Sequence, residues 1–96
     1  MFISVRRYRL GSGTAEELAK RVEEQFVSQV SSVPGFVAYH VLDCGDGVVA
    51  SISHFNDASG AEESDRRAAE WVPGALGDLE PSDVEITEGE VLLSTS

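Results

Sequence analysis

Hydrophobic and polar positions along the chain alternate between two periods and mark out six elements. Residues 2–10, FISVRRYRL, are rich in β-branched and aromatic side chains and end at the breaker Gly11-Ser12-Gly13, which predicts a first strand. Beyond it Leu18, Val22, Phe26 and Val30 recur at helical spacing, so one apolar stripe runs down one helix face, with Glu16, Lys20, Glu23 and Glu24 on the others. Thr14 opens that helix, and Glu17 three residues later completes a capping box. The helix is expected to stop near Ser31–Ser32, because Val33 precedes Pro34 and a proline ring pushes its predecessor out of the α region.

Two β-rich runs follow, FVAYHVLD and VVASISHF, joined by the turn CGDG, which together predict a hairpin. Asn56-Asp57 breaks the second run, and Asp57 or Ser59 caps a second helix, Ser59 with Glu62 making another capping-box pattern. Ala61, Ala68, Trp71 and Val72 give that helix a weaker stripe, and Pro73-Gly74 is expected to end it. ALGDLEPS reads as a loop or single turn. DVEITEGEVLLSTS supplies the last strand, with a bulge expected at Gly89.

Strand, helix, strand, strand, helix, strand is the split βαβ order. It predicts one ferredoxin-like α+β domain over residues 1–96: a four-stranded antiparallel sheet, the first strand central beside the last, with two helices on one face. The even hairpin positions (Phe36, Ala38, His40, Leu42, Val48, Ala50, Ile52, His54) and the odd ones (Val37, Tyr39, Val41, Val49, Ser51, Ser53, Phe55) are both substantially apolar. Helices cover one face only, and a sheet face open to water should be polar. A second copy of the chain is the simplest cover, with a bare patch as the alternative. If the odd positions meet the partner, Tyr39 and Val49 lie at the contact.

Composition narrows the function by exclusion. A net charge of −10, from seventeen acids and seven bases, repels phosphate backbones and argues against nucleic acid. A hydrophobic content of 42% argues against disorder. No apolar run reaches the ~18 residues a membrane span needs, and MFISVRRYRL lacks the layout of a signal peptide, so a cytoplasmic protein is expected. Cys44 is the only cysteine, which rules out an intrachain disulfide and a cysteine-rich metal site. Asp43 and Asp46 beside it disfavour the thiolate.

His40 and His54 share parity and therefore one side of the hairpin. With the turn centred near Gly45, His54 lies opposite Phe36, which sets the two imidazoles on the order of 13 Å apart. No metal site using both is then expected, and no cofactor either. Each histidine is a structural residue or, with a side chain that titrates near neutrality, a general base. Arg6 and Arg7 point to opposite faces of the central strand. A half-buried guanidinium needs an anion, supplied by Glu85, Glu88 or Glu90 on the last strand or by a ligand. No G-x-S-x-G elbow is present, and GSGT has the wrong spacing for a phosphate loop.

The element order, Pro34-Gly35-Phe36 at the start of the second strand and Phe55-Asn56-Asp57 leading into the second helix together resemble the antibiotic biosynthesis monooxygenase-like group of the dimeric α+β barrel proteins. The resemblance spans nearly the whole chain and implies a homodimer built sheet to sheet, with a pocket between each sheet and its helices. It also implies cofactor-independent oxygenation of small aromatic substrates. Haem-degrading relatives carry an asparagine on the first strand, where the nearest positions here are Arg6 and Arg7. Their helical aromatic or histidine falls at Ser64, and Trp71 lies two turns further on, so haem degradation is disfavoured. For an enzyme of this kind, the chemistry of the residues themselves makes His54 and Arg7 the expected catalytic pair. Tyr39, Trp71, Arg6, His40 and Phe26 would line the site of a planar anionic or phenolate ligand. The competing reading is a non-catalytic homodimer that binds a small ligand or serves in assembly, and an interior filled by Phe26, Trp71 or Val22 would favour it.

Overall fold

The computed structural model describes residues 1–95. The chain runs β1 (Phe2–Leu10), α1 (Ala15–Gln25), α2 (Val27–Ser31), β2 (Phe36–Gly45), β3 (Val48–Phe55), α3 (Ala58–Ala75), a 3-10 turn (Gly77–Leu79) and β4 (Pro81–Glu90). The four strands form one antiparallel sheet in the order β2-β3-β1-β4. This is the ferredoxin-like α+β fold, with β1 central and β4 beside it as the element order predicts.

Local chemistry accounts for most boundaries. The Thr14 side chain accepts a hydrogen bond from the Glu17 amide at 3.1 Å, satisfying one of the free donors at the start of α1. Asp57 does the same for the Gly60 amide, and Ser59, the other candidate cap, donates instead to Asp57. The hairpin turns through Asp46 and Gly47, both at positive φ, as a two-residue connection between twisted strands requires. Three boundaries differ from expectation. The first helix breaks at Phe26 into two segments. The second continues through Pro73 to Ala75. The bulge in β4 lies between the partners of Arg7 and Arg9 rather than at Gly89, where one extra residue is inserted near Asp83.

The core lies between the helices and one face of the sheet. Leu18, Val22, Phe26 and Val30, the predicted stripe, are all buried, against Tyr8 and Leu10 of β1 and Val49 and Phe55 of β3. Each such side chain stabilises the fold by about 1.5–3 kcal/mol relative to exposure. Tyr39 and Val41 of β2 also pack on this core. The odd hairpin positions are therefore the helix-covered ones, and the idea that Tyr39 and Val49 meet a partner is corrected. The face away from the helices carries Ile3, Val5, Ala50, Ile52 and Leu42, with His40 and His54.

The strand register also corrects the histidine geometry. Val37 is an extra residue in β2, so Phe36 pairs with Phe55, Ala38 with His54, and His40 with Ile52. His40 and His54 are diagonal neighbours with ring centroids 5.5 Å apart, not about four residues out of step.

Candidate functional site

A cleft of about 410 Å³ lies between the β1–β4 half of the sheet and the C-terminal half of α3, with Arg6, Tyr8, Ala69, Val72, Pro73, Pro81 and Val84 in its walls. Two local irregularities border it. Pro73 has no amide hydrogen, so the Ala69 carbonyl one turn earlier loses its helical partner. The extra residue in β4, with Asp83 at φ 55°, bends the opposite wall.

Polar side chains gather where Arg6 enters. Ser4 and Arg6 share the inward face of β1, Glu88 sits opposite Ser4 across the β1–β4 ladder, and Asp65 comes down from α3. The Ser4 hydroxyl donates to Asp65 Oδ1 at 3.0 Å. Burial, followed by the hydrogen bond and negative charge of Glu88, pushes the Asp65 carboxyl up to about 7, while Ser4 and Arg6 pull it down. Arg6 Nε is buried and has no hydrogen-bond partner among the described residues. Burial also raises the two tyrosines in this layer, Tyr8 to about 12.

The structure divides the residues predicted for the site between the two sides of the sheet. Arg6 faces the cleft. Tyr39, Phe26 and Trp71 are on the same side but form a packed aromatic cluster, with the Phe26 and Trp71 rings 5.1 Å apart and Phe26 and Tyr39 6.2 Å apart. They line neither cleft described here. Arg7, His40 and His54 lie on the other face, where Arg7 Nη1 approaches Glu85 Oε2 at 3.9 Å and both side chains are exposed. A second depression of about 390 Å³ opens there beside Arg7, Arg9, Val48 and Glu85. His54 and Arg7 therefore cannot act together with Arg6 on one ligand within a single chain. Asp65 did not figure in the sequence-based site, and Glu88 figured only as one possible anion for the arginines of the first strand. The signal for Asp65 was present: it is the one acid in the inward α3 series Ala61, Ser64, Asp65, Ala68 and Val72.

No protein-family model matches the chain, and no curated protein matches it. Solved structures do share its fold. A candidate antibiotic biosynthesis monooxygenase from Deinococcus radiodurans is 19% identical with a TM-score of 0.74, over 100% of this chain and 97% of that one. The heme-degrader MhuD of Mycobacterium tuberculosis, with two hemes in its active site, is 18% identical with a TM-score of 0.74, over 100% of both chains. SnoaB, a cofactor-independent oxygenase from Streptomyces nogalater, is 17% identical with a TM-score of 0.69, over 97% of this chain and 94% of that one. The chain thus has the fold of the antibiotic biosynthesis monooxygenase-like proteins, and at these identities the likeness is one of fold.

The cleft residues do not fit haem. Ordinary axial ligands are His, Cys, Met or an ionised Tyr. Both histidines are on the opposite face, Cys44 is exposed at the hairpin end, and burial holds the Tyr8 phenol protonated. Ser64, at the position of the helical aromatic or histidine of haem degraders, is buried in the core.

Proposed function

We propose that the protein binds a small aromatic molecule in the Arg6 cleft and acts on it as a cofactor-independent, monooxygenase-like oxidoreductase. The supporting observation is Arg6: it lines a largely apolar cleft of about 410 Å³, and its Nε is buried without a partner among the described residues. A buried donor left unpaired is costly, and a guanidinium with hydrogen-bonding capacity to spare attracts an oxygen acceptor on a planar ligand. Arg6 takes the role that sequence assigned to Arg7, because Arg7 is exposed and near Glu85. Val72, Pro73, Pro81 and Val84 supply the apolar walls such a ligand needs. The Arg7, His40 and His54 face is proposed as the homodimer contact, since Ile3, Val5 and Ile52 there lack cover from the helices.

The test measures thermal shifts and oxygen uptake with hydroxynaphthalenes and hydroxyanthrones for the native protein and Arg6→Gln. Stabilisation and oxygen uptake should both fall in the variant. If the aromatics stabilise both proteins equally, Arg6 is not the receptor. One observation favours the second reading, a non-catalytic binding module. Phe26 and Val22 are buried and Trp71 packs on Phe26, so the middle of the sheet–helix layer is filled. Ligand stabilisation without oxygen uptake would select that reading.

A further inference from the structure

We infer that His40 and His54 form a two-imidazole site for a late first-row divalent metal ion, on the sheet face away from the helices. The site is separate from the Arg6 cleft and does not rest on the reading of that cleft.

The hairpin register carries the inference. With Val37 inserted in β2, Ala38 pairs with His54 and His40 with Ile52, so the two histidines project from neighbouring strands on one face. Their ring centroids are 5.5 Å apart, against the ~13 Å expected from the sequence. A zinc–imidazole bond is about 2.1 Å, which puts the ion ~3.2 Å from the centre of each ring it binds. Two rings bound at a tetrahedral angle then have centres about 5.2 Å apart. The rings stand at 77° to each other, edge to face. Turning a ring about χ2, a soft torsion whose axis runs close to the ring centre, re-aims its nitrogens with little movement of that centre. One ion can therefore bridge the pair with the backbone as it stands. Both side chains are within reach of solvent: His40 is exposed, His54 is half-buried, and β2 is an outer strand of the sheet.

The surroundings select the ion. The positions directly beside the two rings are Ile3, Ala38 and Ile52, all apolar. Further along the same rows stand Val5 on β1 and Thr87 and Gly89 on β4. Neither row holds a carboxylate, and Glu85, an acid on this face, lies at the opposite border beside Arg7. Magnesium and calcium, which need several oxygen ligands, find no such set here. Neutral imidazole suits zinc, nickel and copper. The net charge of −10 draws cations toward the surface, and the two nitrogens choose among them. Because the sheet holds both ligands, the second imidazole binds as an intramolecular event, which a lone histidine cannot offer.

Calorimetric titration of nickel chloride into the metal-free native protein, with magnesium in millimolar excess, tests this. Nickel should bind at one ion per chain, and magnesium should not displace it. His40→Gln and His54→Gln should each weaken binding about tenfold or more, and the double variant should lose little further, since one imidazole no longer chelates. Lowering the pH from 7.5 to 5.5 should weaken binding more than about tenfold, because protons compete for both nitrogens. Nickel is paramagnetic, so a small fraction of one equivalent should broaden the ring resonances of His40 and His54 together, a readout that needs no variant to fold. Broadening of one ring alone overturns the inference. So do single-variant losses that simply add, or nickel that magnesium displaces and the double variant retains; the histidines are then a packed pair beside an acidic surface.

Discussion

Replacing Asp65 by Asn should stabilise the protein at alkaline pH and leave it unchanged in acid. The folded chain holds the Asp65 proton up to about pH 7, whereas a free aspartate loses it near 3.8. Between those values the folded state binds more protons than the unfolded one, so Asp65 makes stability fall as pH rises through the window. The full shift corresponds to about 4 kcal/mol. Asp65 is only half-buried, and solvent screening reduces the usable part to about 1–2 kcal/mol. Asparagine keeps the hydrogen bond from Ser4 and carries no charge, so it imitates the protonated acid. Urea unfolding of both proteins at pH 4, 6 and 8, at one protein concentration, isolates the effect from titrations the two share. With a slope of ~1.5 kcal/mol/M the midpoints should coincide at pH 4 and differ by roughly 1 M at pH 8, the variant being higher. A gap of equal size at all three pH values, or a less stable variant at pH 8, would show that Asp65 is not held protonated by burial and Glu88.

Ile52→Asp on the uncovered face should shift sedimentation from dimer to folded monomer, whereas Tyr39→Asp, on the helix side, should abolish the near-ultraviolet circular dichroism of the fold; a dimer that survives Ile52→Asp contradicts the proposed contact. Gly60→Ala should cost about 1–3 kcal/mol in chemical denaturation, because a Cβ there would stand 2.7 Å from Cδ1 of the fully buried Phe55. Glu63 pairs with Arg66 and Arg67, which hold its carboxyl at about 2 instead of 4.5. Its stabilisation is present above about 4.5 and is lost as pH falls through about 2, so Glu63→Gln should melt lower than the native protein at pH 7 and level with it near pH 2.

What was legible in the sequence was local. The β1 limits follow from a β-rich run and a glycine breaker, the Thr14 cap from one hydroxyl and the amide three residues on, and the buried stripe of α1 and α2 from its period. Strand order followed from the sequence of elements alone. The register of β2 was not legible, because its bulge rests on Val37, a good strand residue that carries no breaker signal. That single insertion brings His40 and His54 together and sets Phe36 against Phe55. The break at Phe26 and the passage of α3 through Pro73 are tertiary outcomes, in which packing outweighs local preference. The candidate site was half legible. Alternation on β1 sent Arg6 and Arg7 to opposite faces, but which face the helices cover depends on the whole core. Asp65 draws its character from Ser4 and Glu88 on two other elements, and no local pattern contains that meeting.

The register shifts of the sheet have a consequence for how far assembly can go. Val37 and Cys44 are extra residues in β2, another lies near Asp83 in β4, and β2 and β4 are the two outer strands of the order β2-β3-β1-β4. A strand of another chain laid along either border would meet an interrupted row of donors and acceptors, and on β4 it would also meet Pro81, which has no amide to give. Both borders therefore disfavour lateral growth of the sheet into ribbons. If copies join through the face away from the helices, the contact proposed above, each has one such surface and a pair uses both. Association by this route closes at two chains instead of running on into a fibre.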